Sequence, residues 1–126
     1  MRTAALYAGL LGLMLIVLSM RVSLARRDAQ VSTGDGGNDV LHRWIRAHGN
    51  FVEFVPFAVL LLALSEHLNL GALFIHLLGL LLILARIAHA YALVQTDGVS
   101  AARGFGALGT LAVIAITSIY CIIAFF

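Results

Sequence analysis

The sequence predicts an all-α integral membrane protein, a bundle of four transmembrane helices. Of its 126 residues, 62% are hydrophobic and only 11% are charged, which leaves too few polar side chains to cover a soluble domain of this size. Residues 3–20 and 104–126 contain no charged side chain, and each stretch approaches or exceeds the ~20 helical residues that span a hydrocarbon core. Residues 54–65 and 68–85 form two further apolar blocks between them.

The four apolar blocks place the four helices. The first run is longer than the apolar core of a cleaved signal peptide, so we expect it to remain as a helix. The block 54–65 is too short to span, so its helix must include the polar residues before it, which brings charges to membrane depth. With one proline and no repeat, residues 1–126 are expected to form a single domain. The predicted helices cover about 3–25, 39–66, 69–95 and 100–125.

Polar turn residues mark the first and third connections. The first contains the glycine-rich segment 32–39, and either Asn38 or Asp39 is a suitable N-cap for the second helix. The third connection is expected near 96–100, where Ser100 can cap the fourth helix.

The distribution of arginine predicts the orientation in the membrane. The turn between the second and third helices has neither Lys nor Arg, whereas the first connection is rich in Arg. By the positive-inside rule, the first and third connections are expected on the cytoplasmic side, with both termini on the other side. The arginines at or near these two connections are Arg21, Arg26, Arg27, Arg43, Arg46, Arg86 and Arg103.

The second helix begins with a charged stripe. At 100° per residue, Arg43, Arg46, Asn50 and Glu53 fall within an arc of about 80°. Ionised side chains at membrane depth are costly unless they are paired or turned toward the bundle interior. The stripe is therefore expected to face a partner or a cavity.

The third helix carries the complement of this stripe. Arg86 and His89 lie on one face, and Arg86 is expected at a depth similar to that of Glu53, so the two could form an ion pair. The stripe has more cations than one carboxylate can neutralise, and guanidinium groups bind carboxylates bidentately. An anionic ligand is therefore favoured over a purely structural ion pair, although the ion pair stays open as the alternative.

The remaining polar side chains indicate structural roles. His76 is expected to bond a neighbouring helix, and His67 to lie in a solvated turn. Cys121 is expected to act as a small hydrophobic residue. The histidines are not spaced with carboxylates or cysteine as metal ligands, so no metal site is expected.

The segment Arg43–Pro56 resembles the signature of the MAPEG family, the membrane-associated proteins in eicosanoid and glutathione metabolism. That signature reads Arg-x-x-Arg-Ala-His-x-Asn-x-x-Glu-x-x-Pro, and every fixed position is matched here. Arg86-Ile87-Ala88-His89-Ala90 is similar to the family's third-helix motif. The resemblance covers about residues 21–93, and the segments 32–37 and 57–66 look most like bacterial members.

The resemblance implies a four-helix protomer, usually a homotrimer, in a bacterial inner membrane. Glutathione would be bound as co-substrate between protomers near the cytoplasmic face, and the protein would act as a glutathione transferase or peroxidase on lipophilic electrophiles. Arg103 takes the position that would stabilise the glutathione thiolate. The positions that would bind glutathione or support its site are Arg46, Asn50, Glu53, Arg86 and His89.

Some positions depart from the family pattern and keep other functions open. Family enzymes often have a basic residue at the position of Gly49 and a tyrosine at that of Leu93, while Tyr91 points away from the Arg86 face. Arg103 is about one residue from the expected spacing. A non-catalytic member that binds a thiol or lipid ligand is one alternative. A small proton-coupled multidrug transporter is the other, but such transporters need a carboxylate in the first helix, where this chain has none.

Overall fold

The computed structural model describes residues 2–95 and 98–126, and each of its helices is long and apolar enough to cross a membrane. The all-α prediction with four membrane-crossing helices is confirmed for this part of the chain. The helices are α1 (Arg2–Ala29), α2 (Asp39–His67), α3 (Ala72–Gln95) and α4 (Ala101–Ile123).

Two helix ends differ from the predicted boundaries because of residues with positive φ. α1 continues past residue 25 to Ala29 and stops where Gln30 adopts a φ of 55°. α3 begins later than predicted because Asn69, with a φ of 67°, first closes α2, and the Leu70 N–H bonds the Ser65 carbonyl at 2.9 Å. Glu66 therefore belongs to the last turn of α2 and not to a connecting turn.

Side-chain caps begin α2 and α4 where the sequence predicts them. The Asn38 side chain accepts a hydrogen bond from the Leu41 N–H at 2.9 Å, so Asn38 rather than Asp39 is the N-cap of α2. The Ser100 hydroxyl accepts one from the Arg103 N–H at 3.2 Å. Of the predicted third connection, positions 96 and 97 lie outside the described residues.

Helices α2 and α3 form the centre of the bundle. Each contacts all three other helices, whereas α1 and α4 do not contact each other within the described residues. The outward surfaces of all four helices are rich in exposed large apolar side chains, which fits a surface in contact with lipid. The largest fully buried apolar side chains are Leu11, Leu41, Leu62, Ile75, Leu82 and Val113.

Glycine permits close contact at two helix crossings. The ring of Tyr7 on α1 lies against Gly79 on α3, where a Cβ atom would overlap it. The Tyr7 hydroxyl is 3.0 Å from Nδ1 of His76, so His76 bonds a neighbouring helix, as predicted. On the other side of α3, Gly106 of α4 packs against His89 and the Ala85 backbone.

Polar bonds also fix one end of the bundle, where α1 begins and α4 ends. The Glu66 carboxylate accepts hydrogen bonds from the Thr3 N–H (3.0 Å) and the Ala4 N–H (2.8 Å), which caps the start of α1. The Tyr120 hydroxyl donates to the Leu68 carbonyl at 2.8 Å and holds the end of α4. The first and third connections consequently lie together at the opposite end.

Candidate functional site

The centre of the candidate site is Arg86, a cation buried between α2, α3 and α4. Its side chain is 2% exposed, and Nη1 donates a hydrogen bond to Oδ1 of Asn50 at 3.1 Å. Asn50 is half-buried on α2. The structure thus brings together two of the predicted site residues from different helices.

The expected ion pair between Glu53 and Arg86 does not form, so this prediction is wrong for the described protomer. The acceptor for Arg86 is the neutral amide of Asn50, and the Glu53 side chain is exposed on the outer surface of α2. Asn50 precedes Glu53 by three residues, and the rotation of α2 against α3 turns the Asn50 side of the stripe toward Arg86. Glu53 and Arg46 are left facing outward.

His89 lies one turn after Arg86 on α3 and bonds the start of α4. Its Nδ1 is 3.2 Å from the carbonyl oxygen of Arg103. A carbonyl only accepts, so Nδ1 carries the proton in this bond. Gly106 makes this contact possible, because any Cβ at that position would overlap the Cβ of His89.

A small cavity lies beside Arg86 and is lined by side chains of α2, α3 and α4. Its volume is about 70 Å³, and Nε of Arg86 is buried nearby with no hydrogen-bond partner among the described residues. A buried N–H group without an acceptor is costly, so a water molecule or a ligand atom is the expected partner. The cavity is lined by Asn50, Phe54, Arg86, His89, Ala107, Thr110 and Leu111.

Arg46 and Glu53 form an exposed polar surface that extends to membrane depth. A hydrogen bond of 3.1 Å between Ser19 and His48 fixes α1 against α2, and Ser19 lies in the charge-free run 3–20. Glu53 is five residues beyond His48 along α2, about 7–8 Å deeper. An uncovered carboxylate at this depth is expensive in lipid, so this surface calls for a covering partner or ligand.

The other predicted site residue, Arg103, lies half-buried at the start of α4. Its backbone carbonyl bonds His89 and so joins the start of α4 to α3, while its N–H bonds the Ser100 cap within α4. Leu93 is buried, and Tyr91 is 63% exposed and directed away from the cluster.

Two residues of the site were not assigned to it from the sequence. Thr110 lines the cavity, and its hydroxyl donates to the Gly106 carbonyl at 2.8 Å inside α4. Gly106 packs against His89 and so brings α4 close to the site. A polar Thr in the charge-free run 104–126, one turn after a glycine, is the signal that could have pointed to both.

Comparisons with known proteins agree with the motif. The family model described as "MAPEG family" matches residues 4–123. The chain is also similar to inner membrane protein YecN of Escherichia coli K12 and to its counterpart in strain CFT073, each 38% identical over 88 residues. The match covers 70% of this chain and 67% of each relative. No solved structure matches. The resemblance drawn from residues 43–56 is thereby confirmed.

Proposed function

Because the chain belongs to the MAPEG family of membrane proteins, we propose that it binds glutathione at the polar surface next to Arg86. The observation that carries this proposal is the exposed surface of Arg46 and Glu53, which reaches membrane depth at Glu53 and lies next to the hydrogen-bonded side chains of Arg86 and Asn50. The proposed activity is that of a glutathione transferase or peroxidase acting on lipophilic electrophiles.

The charges of glutathione complement those of the site. Glutathione has two carboxylates, one ammonium group and one thiol. Arg46 can hold a carboxylate through two parallel hydrogen bonds, and Glu53 can accept from the ammonium group. Nε of Arg86 is buried and has no acceptor in the part of the chain that the structure describes, so a ligand atom or a bridging water would satisfy it.

The size of the cavity supports a site that is shared between protomers. A cavity of about 70 Å³ holds water molecules but cannot enclose a tripeptide. The ligand would therefore extend along the exposed surface of Arg46 and Glu53, with another copy of the chain covering it. The resemblance to the family implies that the copies form a homotrimer, in which the uncovered carboxylate is also removed from lipid.

Arg103 and His89 would support the chemistry. A guanidinium group beside the glutathione sulfur favours the thiolate, which is the nucleophilic form. In the transferase reaction the sulfur forms a bond to the electrophilic carbon, and the leaving group departs with its electron pair. His89 holds the start of α4, and so fixes the backbone that carries Arg103.

The structure also favours a second candidate, a member that binds its ligand without catalysis. The buried Leu93 stands where family enzymes often have a tyrosine, and no hydroxyl replaces it there. Tyr91 is exposed and directed away from Arg86, so its hydroxyl does not take the place of that tyrosine. A thiol bound without a nearby activating group would remain unreactive.

The proposed location is a bacterial inner membrane, with the first and third connections in the cytoplasm. The E. coli relatives are inner membrane proteins, and the arginine-rich connections lie together at one end of the bundle. By the positive-inside rule that end faces the cytoplasm. The exposed polar surface of Arg46 and Glu53 lies nearer to that end. Glutathione would then reach it from the compartment in which glutathione is made.

Isothermal titration of the protein in nanodiscs tests the binding proposal. Glutathione is expected to bind saturably at or below millimolar concentration, and Arg46→Gln to weaken binding by about tenfold through loss of charged hydrogen bonds. Arg2→Gln removes an equal charge at the far end and should leave binding unchanged. Absence of binding to folded protein at millimolar glutathione would refute the proposal.

Turnover of an activated aryl halide then separates the two candidates. An enzyme shows glutathione-dependent turnover that falls in Arg103→Ala while glutathione binding is retained. Binding of glutathione with no turnover of any electrophile would support the non-catalytic candidate.

A further inference from the structure

A second polar groove lies between α1 and α2, near their connection and apart from the Arg86 cavity. We call it the interfacial groove and define it by Arg21, Leu24, Asp28, Asn38, Val40 and Trp44, which are among its lining residues. Its volume is about 410 Å³, and it shares no lining residue with the cavity beside Arg86. It is therefore a separate candidate site.

The groove lies at the border of the hydrocarbon core. Arg21 is the first charged residue after the charge-free run 3–20 of α1, so its guanidinium marks the depth at which lipid tails give way to headgroups. Trp44 lies at the same level, and tryptophan is enriched at this depth in membrane proteins. The contents of the groove are therefore expected to be lipid headgroups.

The two charges in the groove have opposite signs and are available to a ligand. The Arg21 guanidinium carbon is 4.6 Å from the centre of the Trp44 ring. The cation is therefore stacked on the ring, and the N–H donors at the edge of the guanidinium plane remain available. Neither Arg21 nor Asp28 forms a hydrogen bond or ion pair within the described residues. They are seven residues apart on α1, about 10 Å along its axis.

We propose that the interfacial groove binds the headgroup of an amine-bearing zwitterionic phospholipid of the phosphatidylethanolamine type. Its phosphate binds Arg21 and its ammonium group binds Asp28, so both charges of the groove are matched by one molecule. Leu24 lines the groove, and the exposed apolar side chains of Met20 and Ile16 extend this surface along α1. The acyl chains follow this surface of α1 into the bilayer.

Native mass spectrometry of the full-length, delipidated protein in detergent tests this assignment. Phosphatidylethanolamine is expected to bind about fivefold more tightly than phosphatidylcholine, whose trimethylammonium group cannot donate hydrogen bonds to Asp28. Arg21→Gln should weaken phosphatidylethanolamine binding to a similar extent. Asp28→Asn should abolish the preference for phosphatidylethanolamine over phosphatidylcholine. Asp28→Glu keeps a carboxylate at this position, so the preference should remain.

Arg27→Gln is the matched control, because it removes the same charge from the same end of α1 but does not line the groove. It should leave both affinities unchanged, and circular dichroism should show equal helix content in all variants. Equal binding of the two lipids by the natural sequence overturns the proposal. So does undiminished binding in folded Arg21→Gln, or phosphatidylglycerol binding as tight as that of phosphatidylethanolamine.

Discussion

Arg86 is the residue on which the candidate site depends, because its buried guanidinium has a neutral amide as its side-chain partner. Asn50→Leu removes that acceptor and leaves a buried cation without it. We expect the free energy of unfolding to fall by about 1–3 kcal/mol. Unfolding of the variant in mixed micelles, followed by circular dichroism, measures this loss.

The double variant Asn50→Leu/Arg86→Met is the control for that prediction. It replaces both partners with apolar side chains, so no buried charge remains without a partner, and it is expected to be more stable than Asn50→Leu alone. A double variant less stable than Asn50→Leu would contradict the role given to this hydrogen bond.

In the first connection, Asp35 is a residue with a measurable pH signature. Its carboxylate accepts from the Gly37 N–H at 3.0 Å and lies 2.7 Å from Nδ1 of His42. These two bonds, that of Gly37 first, lower the pKa of Asp35 below its ordinary value. The resulting stabilisation of the loop is present above about pH 4, where the unfolded-state carboxyl ionises, and is lost as pH falls through the lower folded-state pKa.

An NMR titration of the Asp35 carboxyl checks this. We expect a pKa below that of an unstructured Asp, and we expect His42→Gln to raise it only part of the way, because the Gly37 bond remains. An ordinary pKa for Asp35 in the natural sequence would show that the loop does not hold these bonds in solution.

At the residue level, local bonds were predictable and the partner of Arg86 was not. The caps Asn38 and Ser100 follow from side-chain type and position next to an apolar run. The partner of Arg86 depends on how far α2 is rotated against α3. A helical wheel places Asn50 and Glu53 on one stripe but contains no information on which of them faces the neighbouring helix.

Among the helices, the close crossing of α3 and α4 decides whether the site can form. A Cβ at Gly106 would lie 2.7 Å from the Ala85 carbonyl and would overlap His89. Gly106→Ala should therefore force the helices apart and lower the free energy of unfolding by about 1–3 kcal/mol. The unfolding transition in mixed micelles measures it.

Gly104→Ala is the matched control on the same helix. Among the described residues, no atom outside the adjoining backbone of α4 lies within 4 Å of its added Cβ, so the change should leave stability unchanged or raise it by up to about 1 kcal/mol through helix propensity. Equal effects of the two substitutions would mean that the α3–α4 crossing is not as close as described.

The helices themselves were largely predictable, because membrane-crossing length and apolar runs leave little freedom. The end of α1 at Ala29 and the start of α3 at Ala72 were not predictable. Gln30 and Asn69 adopt positive φ there, and neither is the glycine that usually signals this conformation. The cap that Glu66 provides to α1 was also missed. It joins residues more than 60 positions apart, and no local pattern reveals such a contact.

For the whole molecule, the main consequence is that one protomer leaves an acidic side chain uncovered at membrane depth. Glu53 is exposed and Arg46 is exposed about two turns before it, while the outer surface of the helices is otherwise rich in large apolar side chains. In a bilayer this surface is stable only if a second copy, a ligand or both cover it. The proposed homotrimer with glutathione between protomers provides both.

Cryo-electron microscopy of the protein in nanodiscs with glutathione is the most direct test of this account. We expect a trimer in which density for a tripeptide lies between protomers, in contact with Arg46 and Glu53 and adjacent to the Arg86–Asn50 bond. A protomer whose Glu53 faces lipid, with no ligand density beside Arg46 at saturating glutathione, would contradict it.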